Sequence, residues 1–285
     1  MGDPTLDLNK TTLTPDAILL TGKVALITGG GGGIGLGIAL GMAEFGADVA
    51  IFDKDEAAAE KAATRIREKG RRALAITADA TDRDAIRAAV KQTVETLGAV
   101  DILVNNVGGT RPIKLVDMTD KQADRQIDLN LKSLVTATQE AAKAMIAKGE
   151  GGAIINIASI EGLRAAPSYA VYAACKAGML NFTRTIALEL SHHRIRINAI
   201  APDFVPTEYM AGLGGDMFSP ERVEARERYI PLKRPGTLDD CAGAAIFLAS
   251  RMADYNTGVT LSVDGGSWAS SGWTRRDEEN WRLMG

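Results

Sequence analysis

The chain has 285 residues, 46% of them apolar, which is enough for one large core and excludes a disordered segment or a small disulfide scaffold. Thirty-three Lys and Arg against 36 Asp and Glu leave a net charge of −3 with no long run of either sign, so nothing argues for nucleic acid or a membrane as partner. Two cysteines outside any C-x-x-C spacing and one adjacent pair of histidines, His192 and His193, supply no metal-ligand pattern, so no metal is expected.

Residues 1–20 read as a polar leader; it is acidic and carries Leu6 where a myristoylation signal needs Ser or Thr, so a cytoplasmic address is the default expectation. Short aliphatic runs then alternate with longer Ala-rich segments of helical period, the pattern of repeated βα units around a parallel sheet. The predicted strands are Lys23–Thr28, Asp48–Asp53, Arg72–Thr77, Asp101–Asn105, Ala153–Ala158, Arg196–Ile200 and Thr260–Val263. Between them, apolar residues at every third or fourth position predict helices over Ile34–Phe45, Asp55–Lys69, Asp82–Leu97, Thr119–Lys148, Ser168–Ser191 and Leu238–Ser250. Seven strands make one wide sheet with helices on both faces, and no linker divides it, so residues 21–267 are expected to form a single α/β domain. The stretch Val24 to Ala43 is uncharged, but eight of its twenty residues are glycine, and it reads as a strand, a turn and a buried helix start. Two segments break the rhythm. Residues 203–235, rich in Pro and Gly, predict a long irregular insert that serves as a lid, and the tail 268–285 holds all three tryptophans, Trp268, Trp273 and Trp281, which are expected to bury against something.

Glycine is the outlier at 30 residues, and it crowds into Thr28-Gly29-Gly30-Gly31-Gly32-Gly33-Ile34-Gly35, directly after the first strand and at the start of a helix. There glycine lets the chain turn tightly and lets a diphosphate approach the backbone, while the free N–H groups and dipole of the helix start favour an anion. Asp53 ends the second strand, eighteen residues past Gly35, where a carboxylate accepts hydrogen bonds from ribose hydroxyls and repels a 2′-phosphate. NAD is therefore expected over NADP, although Lys54 follows immediately and can swing toward a phosphate.

Tyr172 and Lys176 stand at i and i+4, on one face of a predicted helix. An ammonium beside a phenol favours phenolate, so a lowered Tyr172 pKa and a general acid/base role are expected. Ser159, just past the fifth strand, offers a hydroxyl to orient a substrate oxygen.

Taken together, Thr28-Gly29-x-x-x-Gly33-Ile34-Gly35, Asn105-Asn106-Val107-Gly108, Asn130, Ser159, Tyr172-x-x-x-Lys176 and Val263-Asp264-Gly265-Gly266 resemble the short-chain dehydrogenase/reductase family over about Leu20 to Ser267. The resemblance implies a single-domain Rossmann fold and an oxidoreductase acting on a small-molecule alcohol or ketone. It implies that Tyr172 exchanges the proton, Ser159 holds the substrate oxygen, Lys176 binds the nicotinamide ribose, and Asn130 holds a water that links Lys176 to solvent. It further implies cofactor contacts from Gly29, Gly32, Gly33, Ile34, Gly35, Asp53, Asp79, Ala80, Asn105, Gly108, Pro202, Val205 and Thr207. Ile160, Leu163, Arg164, Tyr209 and Met210 are expected to line the substrate pocket, with Arg111, Pro167, Met217 and Phe218 around them, a mixture that suggests a secondary alcohol or ketone with an apolar body. The family habit of pairing the helices predicted over Thr119–Lys148 and Ser168–Ser191 implies a homotetramer or homodimer.

Three residues depart from the family pattern: Val107 and Cys175 replace alanine and serine, and Asp203 stands where glycine usually follows Pro202. Cys175 reads as a packing residue. The rival expectations are an NADP-dependent carbonyl or 3-oxoacyl reductase and, from a different class, a catalytically silent dinucleotide-binding regulator.

Overall fold

The structure is a computed structural model that describes residues 13–212, 219–277 and 279–283. Seven strands, β1 Val24–Thr28, β2 Asp48–Asp53, β3 Ala73–Thr77, β4 Ile102–Asn105, β5 Gly152–Ile157, β6 Ile195–Pro202 and β7 Thr260–Val263, pair in parallel in the order β3-β2-β1-β4-β5-β6-β7. The order reverses at β1, which lies between β2 and β4, and in such sheets the crevice beyond the carboxyl ends at that point is where ligands bind. The helices are α1 Gly33–Glu44, α2 Glu56–Glu68, α3 Arg83–Leu97, α4 Asp120–Ile127, α5 Ser133–Lys148, α6 Ala170–Leu190, α7 Glu208–Gly212, α8 Pro220–Tyr229, α9 Leu238–Ala249 and the single turn α10 Ser267–Ser270.

Strand alternation divides the core between the two faces of the sheet. Ala25 and Ile27 of β1 pack with α1, α2 and α9, whereas Val24 and Leu26 pack with α3, α5 and α6. Both layers are apolar and closed, and each fully buried Ile or Leu contributes roughly 1.5–3 kcal/mol. Glycine lets α1 lie tight on α9: a Cβ at Gly37 would come within 2.6 Å of the Leu238 Cβ. Among the described residues no helix is long and apolar enough to cross a membrane; Val24–Ala43 divides into β1, the glycine turn and most of α1.

The structure departs from the sequence-based expectation in three places. The segment expected as one helix over Thr119–Lys148 contains a π-helical stretch, Asp128–Lys132, between α4 and α5. The insert expected to be irregular folds in part into α7 and α8; Ser219 caps α8 by accepting the Arg222 N–H, with Pro220 in its first turn. The tail forms a hairpin of β8 Trp273–Arg275 and β9 Trp281–Leu283, and its tryptophans stay well exposed, Trp268 at 42%, Trp273 at 47% and Trp281 at 38%. The hairpin rests on α8, and the Arg275 guanidinium lies 4.6 Å from the Trp281 ring centroid and donates to the Pro231 carbonyl. Of the leader, Ala17 and Leu20 are buried, and the Leu20 N–H bonds the Phe45 carbonyl.

A belt of buried polar side chains joins the strands below the crevice to the helices beside them. Asn105 Nδ2 donates to Asn156 Oδ1 at 2.9 Å and to Thr138 Oγ1 at 3.0 Å, and Asn156 Nδ2 donates to Thr183 Oγ1 at 2.8 Å. Asn156 is fully buried and sits at the centre, so its loss orphans groups on both sides. Asn156→Ala is expected to lower stability by about 2–3 kcal/mol, read as a lower urea midpoint at unchanged slope.

Candidate active site

The glycine turn follows β1 at the switch point. Gly29 and Gly33 have φ of 65° and 53°, the left-handed region that disfavours side chains. A Cβ at Gly35 would run into the Gly29 carbonyl oxygen and Asn106 Nδ2, so α1 presses directly on the turn. Asn106 is the brace: its Nδ2 donates to the carbonyls of Thr28 and Gly29, and its N–H donates to Thr28 Oγ1. Gly32 precedes α1 without a side-chain cap, and a Cβ there would meet nothing within 4 Å. Gly33 and Ile34 at the start of α1 are partly exposed, and an uncapped helix start of this kind suits a diphosphate. Thr207 closes one side, with its Cγ2 3.2 Å from where a Gly33 Cβ would be, and Pro202 and Val205 are buried next to it in the chain.

Asp53 ends β2 across from the turn, where its Oδ2 accepts the Gly31 N–H at 2.9 Å and its Oδ1 accepts the Asp55 N–H. Beyond it opens a cleft of about 550 Å³ lined by Lys54, Asp79, Thr81, Lys121, Asp124, Arg125, Asp128 and Leu129. The Thr81 N–H, with the charges of Lys54 and Arg125, holds the Asp79 carboxyl below the usual carboxylate range. Ala80 is buried and lines a small cavity with Thr28, Asn105 and Val107.

The π-helical stretch sits beside the turn after β4, and such segments are common at functional sites. Asn130 Oδ1 accepts the Gly109 N–H at 2.8 Å, while its Nδ2 donates to the carbonyls of Gly109 and Gln126. The Asn130 side chain is thus spent on backbone, an arrangement compatible with the role expected of this residue, that of holding a water. A Cβ at Gly108 would lie 2.8 Å from Asn130 Oδ1 and 3.2 Å from Lys176 Nζ, so the three positions are brought together.

Ser159, Tyr172 and Lys176 also converge. The Tyr172 hydroxyl lies near enough to the Ser159 side chain for Ser159 to draw its proton affinity down, and Ser159 Oγ accepts the Glu161 N–H at 3.2 Å. Lys176 Nζ lies 5.6 Å from the centroid of the Tyr172 ring and donates to the Ile157 carbonyl at 2.7 Å. The expected lowering of the tyrosine pKa is not found in this structure. Burial pushes the Tyr172 phenol up to about 12, the Ser159 side chain pulls the other way, and the nearby Glu161 and Tyr169 add to the rise. Burial drives Lys176 down to about 8. The ammonium is desolvated and bonded to a carbonyl, and burial dominates the phenol's proton affinity.

The expected pocket residues divide. Ile160 is fully buried, so it is closed to a substrate. Leu163, Arg164 and Met210 are partly accessible, whereas Arg111 and Pro167 are exposed. Met217, Phe218 and the side chain of Tyr209 lie outside the described residues. Asp203 is tied down: its Oδ2 accepts the Ser267 hydroxyl at 2.5 Å, its Oδ1 lies 3.5 Å from the Arg164 guanidinium, and burial pushes its carboxyl up. Cys175 is buried with its thiol pushed up by burial, and His192 and His193 lie in a surface turn. Sequence reasoning named Asn106 only within the Asn105–Gly108 motif, without a role, and passed over Glu161; their places directly after a strand end and two residues past Ser159 were the available signal.

This arrangement on a seven-stranded parallel sheet is that of a nucleotide-dependent oxidoreductase. A family model described as Enoyl-(Acyl carrier protein) reductase matches residues 29–267, and the chain belongs to the short-chain dehydrogenase/reductase family. It is 40% identical over 249 residues to a 3-oxoacyl-[acyl-carrier-protein] reductase of Chlamydia muridarum, an alignment that covers 87% of this chain and 98% of the relative. A gluconate 5-dehydrogenase from Burkholderia cenocepacia, solved in complex with NADP and tartrate, superposes with a TM-score of 0.83 at 36% identity, covering 89% of this chain and 98% of the other. A 7α-hydroxysteroid dehydrogenase solved with NADH and 7-oxo glycochenodeoxycholic acid gives a TM-score of 0.83 at 34% identity, covering 89% and 97%.

The depressed Lys176 pKa makes stability depend on pH. Below about pH 8 the lysine is protonated in both the folded and the unfolded chain, and its burial penalty applies in full. Between about 8 and the usual 10.5 the unfolded chain binds more protons, so this group's contribution rises with pH. Relative to Lys176→Met, the wild type is expected to gain about 1–2 kcal/mol between pH 7 and 9.5, measured by urea unfolding of both proteins.

Proposed function

We propose that the protein is an NAD-dependent oxidoreductase that moves a hydride between nicotinamide and the carbinol carbon of a secondary alcohol or its ketone, with Tyr172 as general acid/base. The observation that carries this reading is the convergence of Tyr172 with Ser159 and with the buried Lys176, whose Nζ lies 5.6 Å from the Tyr172 ring centroid, on the same sheet edge as the uncapped α1 N-terminus. When bound, the cofactor supplies or accepts the hydride. Gly29, Gly32, Gly33, Ile34 and Gly35 cradle its diphosphate, Thr207 and Val205 flank it, and Asp53, Asp79 and Ala80 lie toward its adenosine end. Lys176 has three donors, one of which goes to Ile157, leaving others for ribose hydroxyls. Asn130 acts as a positioning residue, fixing the Gly108–Gly109 backbone against Lys176.

Ser159 orients the substrate oxygen, and Tyr172 gives its proton to that oxygen in reduction or removes one in oxidation. With its pKa raised, Tyr172 rests as the neutral phenol, the form that donates. Oxidation therefore gains from rising pH and reduction does not. Asp53 supports NAD, since its carboxylate stands at the end of β2 against the Gly31 N–H. The second reading, an NADP-dependent reductase, has its own support in Lys54 and Arg125, which face Asp79 across the cleft. A cytoplasmic homo-oligomer accompanies the proposal; exposed Val135 and Ile146 on α5 and Leu188 on α6 suit an interface with a second copy.

Tyr172→Phe is expected to lower turnover by at least 10²-fold with NADH binding retained, and a variant with full turnover removes the proposed acid/base. Fluorescence titration is expected to give NADH at least a tenfold lower Kd than NADPH; the reverse order transfers the assignment to the NADP reading.

A further inference from the structure

We infer that Glu161, Arg164 and Asp203 form a polar wall beside the catalytic hydroxyls that selects a neutral polyhydroxylated alcohol, or the corresponding ketose, as substrate. The inference rests on the oxidoreductase reading and specifies its substrate class.

The wall draws on two loops. Glu161 and Arg164 follow β5, and Asp203 follows β6. The Arg164 guanidinium donates to both Glu161 oxygens, at 2.8 and 3.4 Å, and lies 3.5 Å from Asp203 Oδ1. Only about a quarter of each of the Arg164 and Glu161 side chains is exposed, and 12% of that of Asp203. The wall reaches the reacting oxygens, because the Glu161 N–H bonds Ser159 Oγ and the Glu161 charge is felt at Tyr172. On its outer side Arg164 lies 5.3 Å from the ring centroid of Tyr229 of α8, and the buried Tyr229 hydroxyl has no hydrogen-bond partner among the described residues.

Each substrate class meets this wall differently. An apolar chain would strip water from two carboxylates and a guanidinium without replacing its hydrogen bonds, which is strongly unfavourable. A substrate carboxylate would meet Glu161, Asp203 and the adjacent Asp264 against one Arg164, an excess of negative charge. Neutral hydroxyls fit: each carboxylate oxygen has lone pairs beyond those used by Arg164 and Ser267, and a hydroxyl both donates and accepts. The resulting bonds are charge-assisted, the stronger kind.

The test is steady-state oxidation by the full-length protein, with NAD⁺ and with NADP⁺, of sorbitol, xylitol, gluconate and 2-octanol. The polyols are expected to exceed gluconate and 2-octanol at least tenfold in kcat/KM. Glu161→Gln and, independently, Asp203→Asn are expected to raise the polyol KM at least fivefold, with kcat changed less, and to shift the ratio toward 2-octanol. Asp203→Asn keeps an acceptor for Ser267, so the two variants do not share one route to misfolding. Preference for gluconate or 2-octanol, abolished by Tyr172→Phe, overturns the polyol assignment and leaves the oxidoreductase reading standing. Polyol oxidation with unchanged KM in both variants also overturns the role of the wall. Failure to turn over any of the four overturns the substrate class; the fate of the broader reading is then decided separately by NADH binding.

Discussion

The ammonium group of Lys176 is closed away from water with the Ile157 carbonyl as its protein acceptor, and the surrounding site is shaped by keeping it there. A buried cation with unfilled donors is costly, which is why its proton affinity falls. Glycine lets backbone close around it: Gly108 lies against Nζ, and a Cβ at Gly162 would press within 2.8 Å of the Lys176 carbonyl carbon. The 21-residue α6 carries the lysine into place and is itself anchored by Met179, Leu180 and Ala187 in the core. Stability is thus surrendered at the lysine, a pattern more at home in a binding site than in a packing one.

Tyr172 and Lys176 are displaced in opposite directions by the same cause. Water exclusion disfavours phenolate and ammonium alike, so the two groups move apart on the pH scale, from 10.0 up to about 12 and from 10.5 down to about 8. The phenol stays a phenol, and the lysine becomes the group whose charge changes near physiological pH. A ligand hydroxyl on Lys176 would return part of its lost hydration and favour the charged form. The ammonium would then weigh more on the phenol one helical turn away, which links cofactor binding to the acidity of Tyr172.

Much of this was legible in the sequence because it is local. The alternation of strands with helical period, the glycine turn between β1 and α1, and the i, i+4 spacing of Tyr172 and Lys176 each need only a short window. The π-helical stretch at Asp128–Lys132 was not legible, since its flanks keep a helical apolar rhythm and the extra residue per turn leaves no mark in composition. Helix α8 was hidden for another reason. Its sequence is mostly charged, with no buried residue, and only Ser219 and Pro220 announce its start. The direction of the Tyr172 shift depends on how deeply the folded chain buries one hydroxyl, and no spacing encodes that. The exposed tryptophans of the tail belong here too, because residue type alone predicts burial.

Asp203 shows how one departure from a family pattern spreads. Glycine at that position would leave the start of the insert free; the carboxylate instead bonds Ser267 of α10, while its N–H bonds the Val263 carbonyl. The loop after β6 is thereby fastened to the end of β7 and to the first turn of the tail. The tail in turn lies on α8 through its hairpin, with Arg275 reaching the Pro231 carbonyl. Two of the segments that interrupt the βα rhythm are consequently one mechanical unit. Fastening the chain at Asp203 and at Arg275 takes conformational freedom from the described residues on either side of these contacts. The same carboxylate faces Arg164, so the residue that stiffens the mouth also sets its polarity.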